Sequence, residues 1–335
     1  MNVALLIWQY CSTVASRHSP ISFAACLCLI GLAIVGFAAS QVTQFTFASV
    51  PDIWELVAAV VVLDILCRFV PPLQIVNAAQ TIAHGLLFLV LFSVAAVLAA
   101  YSLQRFAFPL QDHLFNSIDE AFGLSWPAYA HWVDSHLGVQ NLFRFAYDTV
   151  QIQTALPLVV LAFANRHSEV RAYLLAFAIA LTATLVISAL MPGGGPIVFA
   201  DRTSFEIIGF TGATPLDHLA RLREAGPFVL SEPPGGIATF PSFHATIAVL
   251  VPLTLRKHRR TLIILLVLNA AMLGGTVTEG AHYFCDLVAG CAMAFLAHAV
   301  ATSIITMEDR LVSGVERRTD ESAMPGCASG QPIAP

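Results

Sequence analysis

Two short stretches hold the residues best suited to chemistry: GIATFPSFHATIAVL over 236–250 and TEGAHYFCDLVAG over 278–290. In the second, His282 and Asp286 are four residues apart. On a helix they share a face, so the carboxylate can hold one ring nitrogen and leave the other free. A nucleophilic or basic imidazole needs that orientation. In the first stretch, Pro241 and Ser242 precede an apolar run. Ser242 suits an N-cap, and His244 falls in the first turn of the helix that follows. A helix N-terminus offers unpaired N–H groups and partial positive charge, which suit a bound phosphate. Two histidines and a carboxylate would also suit zinc, although the Pro-Ser-x-His setting is better explained by phosphate chemistry.

The elements that must position these residues are membrane helices. Of the 335 residues, 57% are hydrophobic and 11% charged, and mean hydropathy is +0.77. A globular chain is about a quarter charged. This balance excludes a soluble fold, a disordered chain, a secreted disulfide scaffold and a nucleic-acid binder. The seven cysteines form no CxxC pair, which leaves them as buried thiols. A span needs about 20 apolar residues. The segments that qualify, or nearly do, are 21–40, 53–70, 82–102, 147–165, 172–191, 242–256, 261–279 and 284–305. The expected fold is therefore all-α, a polytopic helical membrane protein with about eight transmembrane helices. Residues 1–16 read as a short interfacial helix, and no cleavage site argues for a signal peptide.

Eight spans put both termini on one side. Eleven basic residues then fall on the terminus side, including RKHRR at 256–260, and five fall on the other: Arg105, Arg144, Arg202, Arg221 and Arg223. The positive-inside rule places the termini in the cytoplasm of a cell inner or plasma membrane. The outer or periplasmic face then holds two long loops, 103–146 and 192–241. His244 opens the sixth span on that face, and His282 and Asp286 lie at the end of the seventh and the start of the eighth, so the three converge at one depth. The domain reading is an N-terminal region of two spans over 1–75, a catalytic membrane domain over 76–306, and a disordered cytoplasmic tail over 307–335.

These motifs carry a resemblance. PSFH followed by a helix, then HYxxD followed by an apolar helix, resembles motifs two and three of the type-2 phosphatidic-acid phosphatase superfamily. Within it the chain is most similar to the inositol phosphorylceramide synthase-like, or inositolphosphotransferase, branch. FPLQDHLFNSIDEAFGLSW (108–126), AYDTVQIQ (146–153) and MPGGGP (191–196) are weaker markers, and the resemblance extends over about 105–300. It implies a six-helix catalytic core and a metal-independent enzyme without cofactor. It also implies roles: His282 attacks phosphorus to form a phosphohistidine, Asp286 orients His282, and His244 serves as proton donor and then as base. The implied substrate is a lipid or isoprenoid phosphate ester in the membrane, hydrolysed by water or transferred to a second alcohol. No nucleic acid and no obligate protein partner is expected.

The chain departs from the family's usual pattern in two places. Motif one needs a lysine, and the only lysine, Lys257, lies in the inner turn. The Ser-Arg pair expected before the motif-three histidine falls on Gly275 and Thr276. Phosphate neutralisation must then come from the outer arginines, with Arg223 and Arg221 first, Arg202 next, and Ser242 beside them. Tyr147 and Gln153 are candidate pocket residues, or else partners in interhelical hydrogen bonds. Gly193–Pro196 reads as a turn or as a close approach to phosphate. Asp64 and Arg68 read as an ion pair, Trp126 and Trp132 as interface anchors, and His298 as a packed, hydrogen-bonded histidine. The lost cations keep one rival open, a non-catalytic lipid or small-molecule carrier that retains the fold.

Overall fold

The computed structural model describes residues 21–47, 73–199, 219–224, 226–230 and 236–323, with a few isolated residues between 55 and 66. Arg202, Asp64 and Arg68 lie outside the described residues, as does more than half of the expected span 53–70.

The described helices are α1 (Phe23–Thr43), α2 (Gln74–Gln104), α3 (Asp112–Ala121), α4 (Trp126–Asp134), α5 (Leu137–Asp148), α6 (Val150–Phe163), α7 (His167–Leu190), α8 (Phe243–Thr254), α9 (Arg259–Thr278) and α10 (Phe284–Ala323). Five of them are long and apolar enough to cross a membrane: α1, α2, α7, α9 and the stretch Phe284–Leu311 of α10. They carry bands of exposed apolar side chains, such as Val267 on α9 and Val288 and Leu296 on α10. In a soluble protein such bands would be untenable; on membrane helices they are the lipid-facing surface. The protein is an all-α, polytopic helical membrane protein.

Two expected spans take another form. The segment 147–165 is a bent pair: α5 and α6 meet at 49°. At the joint Thr149 turns its hydroxyl back to the Ala146 carbonyl at 2.6 Å. The sixth span is α8, twelve residues long and lying deep among α7, α9 and α10.

Small residues bring the helices close. A Cβ at Gly36 of α1 would lie 3.1 Å from the Ala99 nitrogen of α2. One at Gly85 of α2 would lie 2.9 Å from the Leu158 side chain of α6. The main core gathers Phe92, Leu158, Leu161, Tyr173, Leu174, Leu250 and Ala297 from α2, α6, α7, α8 and α10.

There are two departures from the expected plan. A short parallel strand pair, β1 (Phe45–Phe47) with β2 (Phe228–Leu230), ties the end of α1 to the second long loop. Aromatic rings fix it, with Phe45 stacked on Tyr101 at 5.5 Å and on Phe228 at 6.0 Å. The polar stretch from 307, expected to be disordered, continues α10 without a break to Ala323. Its residues (Met-Glu-Asp-Arg-Leu, Glu-Arg-Arg) include good helix formers, and an existing helix end removes the nucleation cost. At its start, Glu308 and Asp309 are held by Arg171 of α7 at 2.6 and 2.8 Å.

Candidate active site

His282 sits in the short connection between α9 and α10, and Asp286 lies in the first turn of α10. Nδ1 of His282 lies 3.1 Å from Oδ2 of Asp286, which also accepts the Tyr283 backbone N–H at 3.0 Å. Asp286 is fully buried and His282 nearly so. Beside them Ser242 caps α8, its hydroxyl accepting the Ala245 N–H at 3.3 Å. The two motifs are stitched together: the Ser242 N–H donates to the Asp286 carbonyl at 3.0 Å. A Cβ at Gly290 would lie 2.2 Å from the Ser242 carbonyl oxygen, so only glycine allows α10 to pass so near. His244, in the first turn of α8, stacks on the Tyr147 ring with centroids 4.1 Å apart and planes 11° apart.

His244, His282 and Tyr147 all line one cavity of about 470 Å3. Its floor and one side are glycine and polar backbone, from Gly193, Gly194 and Gly280. Much of the rest is apolar, with Ala96, Val97 and Ala100 of α2 and Phe177, Leu181 and Leu185 of α7, among which stand Ser93, Thr184 and Thr239. The lining also holds Glu279, whose carboxyl group is bonded by Arg144 of α5 at 3.2 Å. Burial pushes the Glu279 carboxyl up from its ordinary range, and Arg144 opposes that.

The short helix α3, which lies within the weaker marker 108–126, positions this site. Asp112, Phe115 and Asp119 fall on one face, at i, i+3 and i+7, and all three are buried. Asp119 caps α10 from outside, accepting the N–H groups of Phe284 at 2.7 Å and Cys285 at 2.9 Å. A carboxylate at a helix N-terminus meets both unpaired donors and the positive end of the dipole. Asp112 accepts the N–H groups of Gly194 and Gly195 at 2.9 and 3.0 Å, and the Tyr283 hydroxyl at 3.0 Å. The Gly193–Pro196 loop therefore cradles an anion, but that anion is the chain's own aspartate. Gly195, at φ +83°, packs on residue 281, and a Cβ there would lie 2.4 Å from the Ala281 carbonyl oxygen.

Several expected site residues stand elsewhere. Gln153 does not line the cavity. It bonds Thr149 and accepts from Asn269 of α9 at 2.8 Å. Ser242 is also absent from the lining, its hydroxyl being used as the cap. Arg221 lies over the Phe228 ring at 5.4 Å, and Arg223 donates to the Phe108 carbonyl at 2.9 Å. Neither lines the cavity, since the pairing of β2 with β1 and the Arg105 bonds to Leu222 and Gly226 draw that segment aside. Trp126, read as an interface anchor, is buried and donates to the Val277 carbonyl at 2.7 Å, whereas Trp132 is exposed.

The PAP2 superfamily matches residues 113–300, more than half of the chain. The chain belongs to the PAP2 superfamily. The match takes in His244, His282, Asp286 and Asp119, and runs from α3 into the membrane-spanning part of α10. No curated protein and no solved structure matches the chain. Membership points to a phosphatase or phosphotransferase acting on lipid phosphates. In this PAP2 protein α1 and α2 precede the matched region, and α2 adds one apolar wall to the cavity.

Proposed function

We propose that the protein is a metal-independent phosphoryl-transfer enzyme for lipid or isoprenoid phosphate esters, working through a phosphohistidine at His282, as in the inositol phosphorylceramide synthase-like branch. One observation carries the reading: the buried Asp286 fixes Nδ1 of a histidine whose side chain lines the same cavity as His244. With Nδ1–H held by the carboxylate, Nε2 keeps its lone pair and is the nucleophile. Nε2 forms a bond to phosphorus as the P–O bond to the leaving group breaks, and His244 gives the leaving oxygen a proton. His244 then takes a proton from water or an alcohol, whose oxygen displaces His282 from phosphorus. The Asp286 carboxylate offsets the positive charge on the phosphorylated ring.

The equatorial oxygens need positive partners. Phe243 and His244 line the cavity from the first turn of α8, where N–H groups lack partners within the helix. Arg144, on the far side of Glu279, is the nearest described cation in this hydrogen-bonded group. The apolar walls of α2 and α7 suit the hydrocarbon of a membrane substrate.

Purified protein in detergent, given radiolabelled lipid phosphates with and without candidate alcohols, tests the reaction. The transferase form predicts labelled product on the alcohol at the expense of free phosphate. Release of inorganic phosphate unaffected by any acceptor would leave a phosphatase. Binding of lipid phosphate without turnover would instead support a carrier.

A further inference from the structure

A second cavity, of about 120 Å3, lies at the opposite end of the helix bundle. The chain itself sets the separation. α8 starts beside His244 and ends at Thr254, and α10 runs from Asp286 to His298 over 12 residues, about 18 Å at 1.5 Å each. The volume is that of about four waters. Its lining joins Arg256, Lys257 and His298, the hydroxyl residues Ser168, Thr254, Thr302 and Thr306, and one carboxylate residue, Glu169, to Ala172, Tyr173 and Ile305.

The hydrogen bonds leave this cavity with spare donors. Nη1 of Arg256 lies 2.9 Å from Nε2 of His298. A guanidinium only donates, so Nε2 accepts and the ring proton must sit on Nδ1. That Nδ1 is buried and has no hydrogen-bond partner among the described residues. Arg256 donates otherwise to the Leu253 carbonyl, so its positive charge faces neutral acceptors. The nearby carboxylates are already engaged: Glu169 with Lys257 and Arg166, and Glu308 and Asp309 with Arg171. A cation without a carboxylate partner, with a second cation and four hydroxyl residues around a cavity wide enough for a small oxyanion, calls for an anionic ligand.

We propose that this cavity binds a phosphate group, and that the phosphate is the headgroup of an anionic lipid in the leaflet on the terminus side. Arg256 donates to it, held in place by its bond to His298, with Lys257 beside it. The lipid source follows from position: the cavity opens where α7 begins and α8 ends, at the basic turn 256–260 and against the side of α10, the level at which headgroups lie. The site is separate from the His244–His282 cavity and does not rest on the proposed reaction.

The test uses full-length protein in neutral detergent. Its Tm is followed while dioctanoyl phosphatidylglycerol, dioctanoyl phosphatidylcholine or inorganic phosphate is added, in wild type and in Arg256→Gln, Arg256→Lys and Lys257→Gln. The proposal expects a saturable rise with phosphatidylglycerol, absent with phosphatidylcholine. Arg256→Gln should weaken it by about tenfold, the loss of one charge-assisted bond, while Arg256→Lys retains most of it. A similar rise with inorganic phosphate alone would assign the site to free phosphate and overturn the lipid source. No rise with either anion, or equal rises in wild type and Arg256→Gln, would overturn the site. Should Arg256→Gln not yield folded protein, Lys257→Gln, whose side chain is exposed, decides in its place.

Discussion

Asp119 offers the sharpest perturbation of the site from outside its cavity. Its two oxygens accept the N–H groups of Phe284 and Cys285, while Asp286 serves Tyr283. The donors that open α10 are thus shared between two carboxylates, one of them belonging to the proposed His282–Asp286 pair. Asp119→Asn keeps the shape but leaves one acceptor oxygen and turns an NH2 toward a backbone N–H. Hydrogen bonds to charged groups are worth about 1.5–3 kcal/mol, so the substitution should cost about 2–3 kcal/mol. Part of that appears as lower stability and part as a shifted helix start. Because misplacement of a reacting group by about 1 Å can cost about a hundredfold in rate, turnover should fall by at least about tenfold. Thermal denaturation and lipid-phosphate turnover of the purified variant measure the two parts. A variant within about twofold of wild type in turnover, with an unchanged Tm, would refute the positioning role given to α3.

Gly195→Ala combines a positive φ with a clash against the Ala281 carbonyl, so it should destabilise by about 1–3 kcal/mol and lower activity, read by Tm and turnover. The double variant Arg221→Ala, Arg223→Ala should keep turnover within about threefold of wild type, because neither side chain lines the cavity, and a KM series on a lipid phosphate checks this. Gln153→Ala should cost about 1–3 kcal/mol of stability by stranding the Asn269 amide, with little change in KM, as compared by denaturation and kinetics.

The parts of this site legible in the sequence are those fixed by local geometry. His282 and Asp286 meet as their spacing of four suggests, although His282 stands in the connection just before α10 and not on the helix itself, and Ser242 caps α8 because a serine ahead of an apolar run has N–H groups to serve. The apolar runs likewise announce α1, α2, α7, α9 and α10. What escaped depends on contacts distant in sequence. Asp112 and Asp119 show as one face of an amphipathic helix, but their partners are more than 80 residues away. Arg221 and Arg223 precede PSFH in the chain, yet the strand pair carries them aside, and two three-residue strands leave almost no pattern to read. For Gln153 the sequence leaves two readings open, a pocket residue or a partner in interhelical hydrogen bonds, and the bond from Asn269 is the second; no glycine or proline marks the bend at Thr149. The Arg144–Glu279 pair could have been suspected, since both are rare charges beside the motifs.

The central claim is that Nε2 of His282 becomes bonded to phosphorus. Rapid quenching of the purified protein at alkaline pH, after mixing with a 32P-labelled lipid phosphate, tests it most directly. The account predicts an acid-labile, alkali-stable label that maps to a peptide containing His282, builds up further in His244→Gln, and is absent from His282→Ala. Turnover by His282→Ala at the wild-type rate, or a label on any other residue, would contradict it.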